Sequence, residues 1–105
     1  MLEAAGVDGF REANRVARAV DIGGLLLFGI PERKDLKGTG AYDERGIVQQ
    51  AIGEIKRAVP DLIVMADVCL CEYTSHGHCG VLDGAEVDND ASLPLIARTA
   101  RSLAQ

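Results

Sequence analysis

The stretch Asp67-Val68-Cys69-Leu70-Cys71-Glu72-Tyr73-Thr74-Ser75-His76-Gly77-His78-Cys79-Gly80 contains all three cysteines and both histidines of a 105-residue chain. It follows an apolar run that begins at Leu62 and is closed by Asp67. If residues 62–71 are extended, side chains alternate between faces, and Asp67, Cys69 and Cys71 point the same way. Cys79 must then return to meet them. Gly77 and Gly80 flank that return and supply the backbone freedom it requires. The expected product is a three-thiolate pocket at the end of a strand.

Two strand cysteines separated by one residue have Cα atoms roughly 6.6 Å apart. That separation strains a disulfide but suits a shared metal with sulfur bonds of about 2.3 Å. Zinc is the preferred ion, because thiolates are soft ligands and three protein ligands leave a fourth position for water or substrate. The competing reading is three incidental buried thiols. A redox pair has no Cys-x-x-Cys spacing behind it. Asp67 has two readings of equal weight, a hydrogen-bond acceptor for loop amides or a catalytic acid at the C-terminal end of a parallel strand. His78 adjoins Cys79, which makes joint ligation awkward, and a place beside the metal or facing a substrate is favoured. His76 and Glu72 read as loop residues with local hydrogen bonds, and Phe28, Tyr42 and Tyr73 as packing residues.

Upstream of this stretch, Leu62 to Val68 reads as a buried strand, and Leu25 to Ile30, bounded by glycines and Pro31, as another buried on both faces. Between them Val48, Ala51, Ile52, Ile55 and Val59 form the stripe of a helix, with Asp43 as expected N-cap and Lys56, Arg57 and Pro60 at its end. Residues 32–40 form a charged loop ending in Gly-Thr-Gly, without the Gly-Lys-Ser/Thr of a phosphate-binding loop. Met1 to Val7 reads as a leader. Asp8 is an N-cap candidate for an amphipathic helix over Gly9 to Val20, on Phe10, Ala13, Ala17 and Val20, stopped by Gly23 and Gly24. Downstream, Val81 to Val87 around Asp83-Gly84 predicts a small hairpin. Asp90 or Ser92 is then expected to cap a helix whose inner face is Leu93, Ile96, Ala97, Ala100 and Leu103.

The order is helix, strand, helix, strand, metal loop with small hairpin, helix. A strand-helix-strand unit implies parallel strands with a right-handed crossover. Two such strands alone leave open edges and bare apolar faces. This predicts an α/β chain that self-associates, as a homo-oligomer, or forms a piece of something larger.

Sixteen acids against eleven bases give a net charge of -5, and the basic residues form no stripe, which argues against nucleic acid. The longest apolar run is too short to span a bilayer, so no membrane partner is expected. Three cysteines crowded into eleven residues do not resemble a secreted disulfide framework. A cytoplasmic location is the expectation.

The Asp67–Gly80 motif, followed by Val87-Asp88-Asn89-Asp90, closely resembles the zinc-dependent porphobilinogen synthases, also called 5-aminolevulinate dehydratases. Leu26-Leu27-Phe28-Gly29-Ile30-Pro31 and Gly40-Ala41-Tyr42-Asp43 extend the likeness over nearly the whole chain. The resemblance implies a (β/α)8 TIM barrel lyase that condenses two 5-aminolevulinate molecules into porphobilinogen for haem and other tetrapyrroles. It implies Zn2+ on Cys69, Cys71 and Cys79, with Asp67 as an active-site acid. It also implies that residues 1–105 are a partial barrel, about the second and third strands with adjacent helices, and no complete domain. The two Schiff-base lysines of the family lie on later strands, and Lys34, Lys37 and Lys56 do not match them. On this resemblance the chain carries the zinc half of the site and is inactive alone. The alternative is a non-catalytic zinc-binding or interaction module derived from the same barrel.

Overall fold

The structure, a computed structural model, describes Arg11, Glu12, Arg15, Val16 and residues 18–105. The expected leader, the Asp8 cap and the stripe residues Phe10, Ala13 and Ala17 lie outside the described residues. Arg18 and Ala19 are helical, and the turn after them is closed by Val20 N–H donating to the Val16 carbonyl at 3.0 Å. The terminator is not the glycine pair but Asp21, at φ 52°, a left-handed conformation that a short polar residue tolerates.

Strand β1 (Gly24–Leu27) pairs in parallel with β2 (Ile63–Ala66), with Leu25 opposite Val64 and Leu26 opposite Met65. Helix α1 (Ile47–Ala58) makes the crossover, burying Val48, Ala51 and Ile55. Leu25, Leu27, Val59 and Val64 pack around the buried pair Ile55 and Leu62. The sheet is therefore covered on one face only. Leu26, Ile63 and Met65 on the other face are 56%, 63% and 50% exposed, and Phe28 and Ile30 are exposed beyond them. This corrects the expectation of burial on both faces, because the described residues supply one helix layer for this pair. Both strands are also shorter than expected. The ladder ends where Asp67 N–H donates to the Leu27 carbonyl at 3.2 Å, since β1 then runs into Gly29 and Pro31, and proline has no N–H to continue it.

The cap of α1 is Gly46, not Asp43. Asp43 instead closes the preceding turn, its carboxylate accepting from Arg45 N–H at 2.8 Å and its carbonyl from Gly46 N–H at 2.8 Å. A side chain at Gly46 would lie 2.8 Å from the Gly40 carbonyl oxygen and 2.9 Å from that of Asp43, so tertiary packing excludes the acid that propensity favours. At the other end of α1, Lys56 Nζ donates to the carbonyls of Pro60 (2.5 Å) and Leu62 (3.0 Å).

The expected hairpin is present as β3 (Val81–Asp83) and β4 (Glu86–Asp88), turning at Gly84 with φ 63°. Helix α2 (Asn89–Leu103) is capped by Asp88, whose carboxylate accepts from Ala91 N–H at 3.0 Å. This corrects Asp90 and Ser92 as caps. The inner face of α2 is also rotated from expectation: Ser92 and Thr99 are buried, Leu95 and Ile96 are partly buried, and Leu93 is 53% exposed. Burial of the two hydroxyls is tolerated because each is satisfied locally, Ser92 donating to the Asp88 carbonyl and Thr99 to the Leu95 carbonyl. Ser92 also accepts from Val81 N–H at 2.9 Å, locking the hairpin to the helix. Gln49 Nε2 joins the two helices through Ser102 Oγ at 2.8 Å. Among the described residues, no helix is long and apolar enough to cross a membrane.

Candidate metal centre

The residues after β2 leave extended geometry almost at once. Leu70 is fully buried with Ala41, Tyr42 and Tyr73, and its carbonyl accepts from both Tyr73 and Thr74 N–H at 2.9 Å. Cys69 and Cys71 thus flank a buried anchor at the start of a turn, which corrects the picture of both on one straight strand. Their sulfurs are nevertheless 3.3 Å apart and not bonded in a disulfide. The buried Leu70 between them drives the turn, and the turn brings the two thiols together.

Cys79 returns as expected. The sulfurs of Cys69, Cys71 and Cys79 all lie within 4.8 Å of one another. Four ligands arranged tetrahedrally about zinc at about 2.3 Å place neighbouring sulfurs about 3.8 Å apart, and the Cys69–Cys71 pair at 3.3 Å is close to that spacing. Hydrogen bonding with Cys69, partial burial and the negative field of Glu72 push the Cys71 thiol up to about 12. Contact with Cys69 raises Cys79 as well. Without a cation, close thiols resist ionising together, and a soft divalent ion relieves that repulsion. The donor set is therefore chemically matched to such an ion.

A second group shares one of these sulfurs: ligand atoms of Asp67, Cys69 and Glu72 also lie within 4.8 Å of one another. Burial, then the neighbouring Asp67 charge, raise the Glu72 carboxyl above its ordinary value. Sequence reasoning treated Glu72 as an ordinary loop residue. Its place beside Cys71 in a tight turn is the signal for its approach to Cys69. His76 does make local bonds. Its Nδ1 accepts from His78 N–H at 3.1 Å, so the ring proton sits on Nε2, which donates to the Leu36 carbonyl at 3.2 Å. Neither histidine belongs to either convergent group. Phe28 is 61% exposed, not packed, while Tyr42 and Tyr73 are buried as expected.

The sequence profile of the delta-aminolevulinic acid dehydratase family matches residues 2–105. The chain belongs to this family. As a delta-aminolevulinic acid dehydratase family member it sits among lyases, and its relatives agree. It is 50% identical to the delta-aminolevulinic acid dehydratase of Ruminiclostridium josui over 91 residues, covering 87% of this chain and 44% of that protein. It is 52% identical to the Bacillus subtilis enzyme over 94 residues, 88% of this chain and 29% of the other. The crystal structure of delta-aminolevulinic acid dehydratase (porphobilinogen synthase) from Toxoplasma gondii, in complex with its reaction product porphobilinogen, superimposes with a TM-score of 0.84 at 30% identity. That match covers 90% of this chain and 29% of the other. The chain thus spans under half the length of these relatives, from 29% to 44%, and its α/β arrangement corresponds to one portion of the dehydratase fold.

Proposed function

We propose that these residues form about the second and third strands of a (β/α)8 barrel in a porphobilinogen synthase, and that Cys69, Cys71 and Cys79 hold its zinc. The observation that carries this reading is the convergence of three free sulfurs within 4.8 Å at the C-terminal end of a parallel strand, where barrel enzymes place their chemistry. Zinc bound there would act as a Lewis acid toward an oxygen of one 5-aminolevulinate molecule. Asp67 follows β2 directly, and its carboxylate meets Cys69 and Glu72. We assign it the role of an active-site acid near the substrate. The bare row Leu26, Ile63 and Met65 would face the barrel interior, opposite the α1 layer.

Residues 1–105 alone supply one half of this chemistry. Lys56 is engaged at the end of α1 by two carbonyls, and Lys34 and Lys37 are exposed in the charged loop. We assign none of them to a Schiff base, and the 105-residue chain is expected to be catalytically inactive. The three free thiols suit a reduced, cytoplasmic compartment, and the open sheet face favours self-association.

Elemental analysis after purification without chelators tests the reading: about one zinc per chain is expected, and undiminished binding in Cys69→Ala would overturn the ligand set. Borohydride treatment with 5-aminolevulinate should leave no adduct, and a stable one on any lysine of this chain would overturn the assigned division of labour. A monomer by light scattering at high concentration would remove the case for self-association.

A further inference from the structure

The half of the loop that carries Cys79 has little packing of its own. Gly77 adopts φ 75°, and His78 and Cys79 are exposed. On its C-terminal side it joins Gly80, buried against Ser92 and Val87, and Val81, whose N–H is held by Ser92; on its N-terminal side its position is set by a neighbouring segment distant in sequence. Asp35 N–H donates to the Tyr73 carbonyl at 3.2 Å, and Ser75 N–H returns a bond to the Asp35 carbonyl at 2.8 Å, forming an isolated parallel bridge. His76 Nε2 adds a third tie, to the Leu36 carbonyl.

The residues making these ties belong to no regular strand. Their shape is fixed by the Asp35 carboxylate, which accepts from Lys37 and Thr39 N–H at 3.0 Å each and from the Thr39 hydroxyl. Those bonds, led by the Thr39 hydroxyl, hold the Asp35 carboxyl below its ordinary range. Gly38 at φ 62° completes the turn and lies against Thr74. From there the contacts run to the metal loop. Thr74, 1% exposed, donates to the His78 carbonyl at 2.8 Å, and His78 N–H donates to His76.

We propose that Asp35 is a positioning residue for the three-cysteine site: its carboxylate shapes the 35–39 turn into a clasp that holds the 73–78 backbone, and thereby Cys79, in reach of Cys69 and Cys71. The inference rests on the three-cysteine reading above. Asp35 touches neither metal nor substrate. Its effect runs through Tyr73, Ser75 and His76 to Cys79, whereas Cys69 and Cys71 are anchored first by the buried Leu70 between them.

Cobalt(II) titration of the 105-residue chain separates these contributions, because thiolate-to-cobalt absorption scales with the number of coordinated sulfurs. Asp35→Ala is expected to weaken cobalt binding about 10- to 100-fold, the range for residues that orient metal ligands. At saturation its absorption should fall to that of Cys79→Ser, and the double variant should lose nothing further. Asp35→Asn keeps an oxygen for the Lys37 and Thr39 amides and should recover most of the affinity. If Asp35→Ala is unfolded by circular dichroism, His76→Ala carries the test, with the same drop in absorption expected. Full three-sulfur absorption in the folded variant, or losses that add in the double variant, would overturn the clasp alone. Failure of the wild-type chain to bind cobalt would overturn the three-cysteine reading and the clasp with it.

Discussion

Replacing Gly29 by alanine probes how the segment that follows β1 braces the cysteine loop. Gly29 is buried, and a methyl group there would lie 1.9 Å from Tyr73 Oη, 2.8 Å from Tyr73 Cζ and 2.8 Å from Val48 Cγ2. Ordinary contact begins near 3.4 Å, so the Tyr73 hydroxyl must retreat by about 1.5 Å. The ring has little room to do so. It is 7% exposed and packed with Ala41, Tyr42 and Leu70, while Val48 on α1 closes the opposite side of the methyl. Overpacking of this kind costs about 1–3 kcal/mol, which lowers the melting temperature by on the order of 5–15 °C in a domain of this size. Urea unfolding followed by circular dichroism and tyrosine fluorescence measures it, since the chain has no tryptophan. Gly53→Ala is the matched control. Gly53 lies within α1, and its added methyl meets nothing closer than an Arg57 nitrogen at 3.7 Å. There the helix gains about 0.5–1 kcal/mol. Opposite signs at the two glycines are expected. A Gly29→Ala chain within about 0.5 kcal/mol of wild type would refute the seating of Tyr73 against Gly29.

Three further outcomes are expected. Leu70→Ala should cost about 2–5 kcal/mol and weaken zinc binding together with stability, because this fully buried side chain sets the turn between Cys69 and Cys71; a stable variant with normal zinc affinity would contradict that role. Asp88→Ala, which removes the acceptor for Ala91 N–H at the start of α2, should lower stability by about 0.5–2 kcal/mol, measurable by the same urea titration, whereas Asp90→Ala should cost less. Burial, then the fields of Glu72 and Asp67, push the Tyr73 phenol up to about 12. An unfolded tyrosine ionises near pH ~10, so above that pH the unfolded state sheds a proton that the folded state keeps. Stability should therefore fall between about pH 10 and pH 12, and ultraviolet titration in the folded chain should show one of the two tyrosines resisting ionisation until about pH 12; both phenolates appearing at the ordinary value would contradict the burial of Tyr73.

How far such a site can be read from sequence depends on whether its determinants are local. The crossover helix was legible because Val48, Ala51 and Ile55 repeat at helical spacing and are buried in the fold. The hairpin was legible because Asp83-Gly84 dictates its own turn. The convergence of three cysteines followed from their number and spacing, although the geometry that achieves it is a turn about Leu70 and not a straight strand. What escaped was set by specific contacts, near and far in sequence, that propensity and periodicity do not report. Asp43 is a good cap by propensity, but it closes a turn onto Arg45 and Gly46, and the helix begins after Gly46. The inner face of α2 was misassigned because Ser92 and Thr99 look polar until their hydroxyls are seen to bond one turn back. Asp35 lay in a loop whose alternating charges suggested only a solvated surface. Its carboxylate instead folds that loop against residues 73–76, forty positions away. A carboxylate that accepts from backbone amides two and four residues on builds a rigid turn, and a rigid turn can act as an edge for another loop. The charged loop and the cysteine loop are therefore one structural unit, and substitutions in either should register at Cys79.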